Sequence, residues 1–137
     1  MTVGWFMKAL TQYADFSGRA RRREFWWFVL IEWLVLVALL SFTAVTLAPA
    51  VDGTNVDADA IGLTGWVMVI LTTFVAVALI VPYWAVTVRR LHDTGRSGWW
   101  SLFLLVLPIV VYILALFDSE AGPNMHGPDP KETERGA

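Results

Sequence analysis

The chain has 137 residues, 57% of them apolar and 16% charged, with a net charge of −2 and no cysteine. Soluble domains run to about 45–50% apolar and about 25% charged; this composition, with a mean hydropathy of +0.59, is that of a membrane protein. Without thiols there is no disulfide, no thiolate zinc site and no cysteine nucleophile, and the length suits a single membrane domain over residues 1–137.

At the start, Val3, Phe6, Met7, Leu10 and Tyr13 fall within one arc of a helical wheel, with Lys8, Thr11 and Gln12 opposite. That pattern predicts a short amphipathic helix in the membrane interface, with packing against a neighbouring protein as the alternative. The first basic cluster follows, DFSGRARRREFWW over Asp15–Trp27. Ser17 is a good N-cap, so a helix is expected to begin just after it. Helix starts carry unpaired N–H groups and partial positive charge. Arg19, Arg22 and Arg23 are therefore unfavourable there unless an anion or a nearby carboxylate sits among them.

Three apolar runs come next, at about 25–48, 63–88 and 98–117. Ala60–Val88 carries no charge for 29 residues, against the roughly 20 needed to cross a bilayer core. The first run is interrupted only by Glu32. At about 10 Å depth by helical rise, that carboxyl must face protein or water, be protonated, or be paired, with Arg89 or Arg90 as the expected partner. A proton relay would need a second acid or His at that depth, and there is none. The third run has Pro108 in its middle, so it either spans or re-enters as two half-helices. The tail, 118–137, is rich in Pro, Gly and charge and is expected to be extended or disordered.

Basic residues set the direction. Five precede the first run, none lies between the first two, three follow the second, and two lie in the tail. With three crossings the cytoplasmic side holds eight and the other side two; a re-entrant third run returns the tail to the cytoplasm. Trp26, Trp27, Trp84, Trp99 and Trp100 fall near the inferred cytoplasmic boundary, as an aromatic belt does. Arg22-Arg23-Glu24-Phe25 matches the core of a twin-arginine export signal, but the apolar run behind it is far longer than the about 7–15 residues of a signal.

The stretch RRLHDTGRSGWW, Arg89–Trp100, repeats the arginine-rich arrangement. Asp93-Thr94-Gly95 reads as a helix stop with Gly95 left-handed, and Ser97 as the cap of the third run. A helix from Leu63 to Asp93 is about 46 Å long against a core of about 30 Å, so it must tilt, kink at Pro82, or protrude. Protrusion puts Arg89, His92 and Asp93, which share one helix face, beside the first cluster. Arg19, Arg22, Arg23, Arg89, Arg90, His92, Asp93, Arg96 and Ser97 then offer a site for a phosphate or carboxylate, most readily an anionic lipid headgroup. The plainer reading is topological, with Asp93 and Glu24 merely neutralising neighbouring arginines.

Other chemistry finds little support. Asp93-Thr94-Gly95 matches the aspartic protease tripeptide, which needs two such carboxylates in an all-β scaffold. His92-Asp93 resembles metal phosphohydrolases, but only His92 and His126 are present. No metal or other cofactor is expected, and the basic surface is too small for nucleic acid.

YADFSGRARRREFWWF, then VRRLHDTGRSGWW after an apolar span, then a Pro-bearing apolar run and GPNMHGPDP, resemble the YhaH/YhaI family of small bacterial inner-membrane proteins. The resemblance covers nearly the whole chain. It implies a multi-span inner-membrane protein and brings no active site, because the family is a domain of unknown function (805). Family members typically have a basic residue and an aromatic after the Asn, where Met125 and His126 follow Asn124 here.

The expected fold is an all-α integral membrane protein, a short N-terminal interfacial helix plus three transmembrane helices, the third spanning or re-entrant. The expected function is a non-enzymatic module whose cytoplasmic arginine-rich face binds anionic lipid headgroups or a partner protein. One alternative is an oligomeric transporter or channel component using Glu32 and a second span kinked at Pro82. Another is a membrane enzyme acting on a phospholipid or isoprenoid phosphate, with His92 or Asp93 as acid or base. Membrane lipids, a second copy or a partner membrane protein are the expected partners.

Overall fold

The computed structural model describes residues 2–132, with side chains from Gly4 onward. Val3's side chain, Arg135 and the rest of the tail from 133 lie outside the described residues. The helices are α1 (Thr2–Thr11), α2 (Arg22–Leu47), α3 (Leu63–Asp93), α4 (Phe103–Val106) and α5 (Pro108–Leu116), with a two-residue strand pair, β1 (Val51–Asp52) and β2 (Asn55–Val56). The chain divides into two compact units, Ile31–Ile80 and Met1–Leu30 with Val81–Ala137. Both α2 and α3 pass through both units.

The Ile31–Ile80 unit is a helical hairpin. Its turn is not bare loop: β1 and β2 pair antiparallel, Gly53 supplies the left-handed residue between them, and Asp57 caps a 3-10 turn over Ala58–Ala60. Gly65 allows the two helices to approach at this end, since a Cβ there would lie 2.9 Å from Ile61 Cγ2 and 3.4 Å from Leu47 Cδ2. Deeper in, the Thr43 and Thr72 hydroxyls bond across the pair at 2.8 Å, and Thr43 also donates to the Leu39 carbonyl, so neither polar group is left bare. Trp33, Leu34, Phe42, Ile70 and Phe74 point outward and are exposed. A water-facing surface of that kind is unfavourable over such an area, whereas lipid removes the cost. The helices Arg22–Leu47, extended by a 3-10 turn to Ala50, and Leu63–Asp93 are both long and apolar enough to cross a membrane.

The other unit packs the ends of the chain around the last part of α3. Its core is Ala9, Ala20, Phe25, Phe28, Val29, Val86 and Ala115, flanked by Phe6, Leu10, Trp26, Tyr83 and Tyr112. The α1 arc thus lies against the chain's own core, with Phe6 stacked on Phe28 at 5.3 Å, while Met7 and Tyr13 remain exposed.

The third apolar run is not one helix. It breaks at Leu107 (φ −147°, ψ 71°), with Pro108 opening α5, and its longest helix has nine residues. Its end also returns to its start: Arg90 Nε donates to the Ala115 carbonyl at 3.1 Å, and the Glu120 N–H donates to the Asp93 carbonyl at 2.8 Å. Of the two geometries left open by Pro108, the structure has the hairpin of short helices.

Candidate functional site

Where α3 ends, the chain builds a buried network of charge. Leu91, His92 and Asp93 close the helix in a Schellman motif: Arg96 N–H bonds the Leu91 carbonyl at 3.0 Å and Gly95 N–H the His92 carbonyl at 3.1 Å, with Gly95 at φ +71°. Asp93 is wholly buried. Its Oδ1 accepts from Arg19 Nε at 3.0 Å, and its Oδ2 accepts from Arg90 Nη1 and from Ser119 Oγ, the latter at 2.5 Å. Two guanidiniums face one carboxylate, and backbone carbonyls take up the remaining donors. Arg19 reaches the carbonyls of Gly122 (2.7 Å) and Glu120 (2.5 Å), and Arg90 those of Ala20, Ala115 and Phe117.

A second buried pair lies on α2. Glu24 Oε2 accepts from Lys8 Nζ at 2.7 Å, and its Oε1 lies 3.4 Å from Arg89 Nη2, while Arg89 Nη1 donates to the Gln12 side chain. Burying charges is tolerated only when they are paired in this way.

The tail closes over the end of α3 through His126, whose ring stacks on His92 with centroids 3.7 Å apart and planes 4° from parallel. His92 Nδ1 lies 3.2 Å from the Gly18 carbonyl. Asn124 donates to the His92 carbonyl at 3.1 Å and to Glu120 at 2.8 Å. The segment 118–132, expected to be loose, is irregular but fastened at each of these points.

Beside this network lies an open cleft of about 710 Å³, lined by Arg21, Arg22, Arg23, Trp26, Trp27 and Leu30 of the α2 start and by Asp118 and Lys131 of the tail. Helical spacing produces its gradient: Arg22 and Trp26, or Arg23, Trp27 and Leu30, recur at three- and four-residue steps and so share a face. Asp118 and Lys131 pair across the rim at 2.5 Å. The Lys131 ammonium, followed by the Ser119 N–H, holds the Asp118 carboxyl below the ordinary carboxylate range.

The model for the family described as a protein of unknown function (DUF805) matches residues 13–128. The chain belongs to the DUF805 family. It is 36% identical over 132 residues to the inner membrane protein YhaH of Escherichia coli K12, covering 94% of this chain and 98% of YhaH. It is also 35% identical over 130 residues to the inner membrane protein YhaI of the same strain, covering 93% and 95%. The uncharacterized protein YiiR of that strain is 31% identical over 92 residues, 67% of this chain and half of YiiR. No solved structure matches.

In this DUF805 chain the two arginine motifs do converge, but the nine residues singled out from sequence separate into groups. Arg19 and Arg90 both bond to Asp93, and Arg89 forms an ion pair with Glu24 at 3.4 Å. Asp93 and Glu24 are thus the carboxylates that pair with these buried arginines. Arg22 and Arg23 line the cleft. Arg96 lies 4.6 Å over the Phe117 ring, and Ser97 accepts from Trp99 N–H, capping a 3-10 turn over Gly98–Leu102. His92 stacks on His126 and does not line the cleft.

Two expectations are corrected. Ser17 does not cap α2; its N–H and hydroxyl bond to Asp15 Oδ1, and this hydroxyl, then this N–H, holds Asp15 below the usual carboxylate range. Gly18, at φ +79°, then turns the chain, and Ala20 N–H bonds the Arg89 carbonyl at 3.0 Å, which delays the helix to Arg22. Arg89 and Arg90, the partners expected for Glu32, are instead paired with Glu24 and Asp93. Glu32 is buried, and its Oε2 has no hydrogen-bond partner among the described residues.

Sequence reasoning passed over Lys131, Ser119 and His126 because a tail rich in Pro and Gly carries no periodic signal. The GPNMHGPDP motif was the one available sign that this segment is built into the fold.

Proposed function

We propose that this DUF805 chain is a two-crossing, non-enzymatic inner-membrane module whose charged cap faces the cytoplasm and binds anionic lipid headgroups. The observation that carries the reading is a division of labour among the arginines. Arg19, Arg89 and Arg90 are ion-paired in the interior with Asp93 and Glu24, whereas Arg22 and Arg23 line the open cleft without an ion pair or hydrogen bond among the described residues. The returning hairpin at 98–117 supports two crossings. With two, all ten Lys and Arg fall on one side of the membrane, a stronger bias than three crossings give. The inward burial of Asp93 and the stacking of His92 on His126 weigh against acid–base chemistry at the cleft.

Two experiments test this reading. Cysteine accessibility in the naturally cysteine-free chain, with single labels at Ala14, Asn55, Thr94 and Lys131, should place Asn55 alone on the outer side. Arg22→Gln with Arg23→Gln should abolish the preference for anionic over zwitterionic lipids in protein carrying its native lipids, measured by lipid mass spectrometry. An unchanged preference rejects the lipid assignment.

The alternative, an oligomeric transporter or channel component, is favoured by the buried, partnerless Glu32 oxygen, since an ionisable group at membrane depth is usually functional. Native mass spectrometry returning monomer alone ends that reading, because two spans enclose no pore.

A further inference from the structure

We propose that the Arg21–Leu30 cleft seats one anionic glycerophospholipid, its phosphate against Arg22 and Arg23 and the upper part of one acyl chain along Trp26, Trp27 and Leu30. This rests on the reading of the cap as a binder of anionic headgroups. It adds a defined, saturable seat to what charge alone would make a diffuse attraction.

The wall of the cleft is amphipathic along one direction. Arg22 and Arg23 open α2, the two tryptophans come one turn further along it, and Leu30 lies about 10 Å beyond Arg23 by helical rise. A phospholipid has the same order of polarity over the same distance: phosphate, glycerol and ester, then hydrocarbon. A free phosphate would leave the aromatic half of the wall unused, and a bare hydrocarbon chain would leave the guanidiniums facing nothing. The volume, about 710 Å³, lies in the ordinary range of about 300–1,000 Å³ for ligand pockets.

Specificity follows from charge. Guanidiniums bind phosphate oxygens in a bidentate fork. A choline or ethanolamine headgroup would bring its own cation to a mouth already lined with arginine, so phosphatidic acid and phosphatidylglycerol fit and phosphatidylcholine does not. Asp118 is the one carboxylate in the lining, and it occupies Lys131 at 2.5 Å. A phosphate entering the mouth competes with Asp118 for that ammonium, so Asp118 opposes binding.

Native mass spectrometry of the full chain released from detergent tests the seat, with phosphatidic acid, phosphatidylglycerol, phosphatidylcholine and glycerol 3-phosphate as probes. The expected result is a single saturable adduct with either anionic lipid, roughly ten-fold tighter than with phosphatidylcholine and undisturbed by millimolar glycerol 3-phosphate. Arg22→Gln with Arg23→Gln should weaken it roughly ten-fold or more. Trp27→Ala should weaken it several-fold while leaving the anionic preference. Asp118→Asn should tighten it several-fold, a gain that damage to the fold does not produce. Anionic adducts that accumulate without saturating, indifferent to Trp27→Ala and Asp118→Asn, overturn the seat and leave the broader headgroup reading standing. Displacement by glycerol 3-phosphate makes this a phosphate site and overturns the lipid. Equal binding of phosphatidylcholine overturns both readings.

Discussion

Arg19 and Asp93, 74 positions apart in the chain, meet at 3.0 Å with both side chains closed off from solvent. Around that contact the two arginine motifs and the tail are joined, since Arg90 and Ser119 bond to the same carboxylate. The pair joins three segments that lie far apart in the chain.

Asp93→Asn should therefore be among the most damaging single changes. It leaves two buried guanidiniums without a counter-charge, and breaking a buried pair from one side costs about 3–5 kcal/mol. Denaturation of detergent-solubilised protein should show the loss, and Asp118→Asn, at an exposed pair, should cost under about 1 kcal/mol. Equal effects of the two would mean that the Asp93 network contributes little.

Gly95→Ala and Gly18→Ala separate backbone strain from collision. Both glycines have positive φ, where a Cβ costs about 1–2 kcal/mol. At Gly18 the space is open, but at Gly95 the new Cβ would lie 2.7 Å from Glu120 Oε2 and force that carboxylate away from Asn124. Gly95→Ala should lower the melting temperature more, and only Gly95→Ala should speed amide exchange in the tail.

His126→Ala removes the ring stacked on His92. Aromatic pairs contribute about 0.5–1.5 kcal/mol, so amides of the 119–130 segment should exchange up to about ten-fold faster. The helices α2 and α3 should keep their protection. Unchanged exchange in the tail would show that Arg19 and Asn124 hold it unaided.

The Asp118–Lys131 pair should respond to acid in a fixed direction. Because the folded carboxyl is held below its ordinary value of 3.8, the pair contributes fully above that pH and is lost as the pH falls through the lower folded value. A carboxyl-carbon NMR titration should give a midpoint below 3.8 that rises in Lys131→Met and in high salt. A midpoint indifferent to both would show the pair to be absent in solution.

Much of the fold follows from sequence, for physical reasons that differ along the chain. The uncharged run from Ala60 to Val88 admits few structures other than a long helix, which continues to Asp93. Gly95 reads correctly because a helix stop needs a left-handed residue there. The start of α2 does not read correctly. Ser17 has the chemistry of a cap, but a backbone hydrogen bond from Ala20 to the Arg89 carbonyl, invisible in local sequence, holds the backbone out of helix until Arg22. The sorting of arginines was illegible for a similar reason. Neighbouring guanidiniums in Gly18–Arg23 look alike in sequence, and only the position of Asp93 in space decides that Arg19 is paired while Arg22 and Arg23 line a cleft.

The returning hairpin at 98–117 has a practical corollary. On the two-crossing reading proposed above, α1 and residue 132 face one compartment. Halves of a split fluorescent reporter fused ahead of α1 and beyond residue 132 should therefore reassemble on a single molecule, at a brightness that does not depend on expression level.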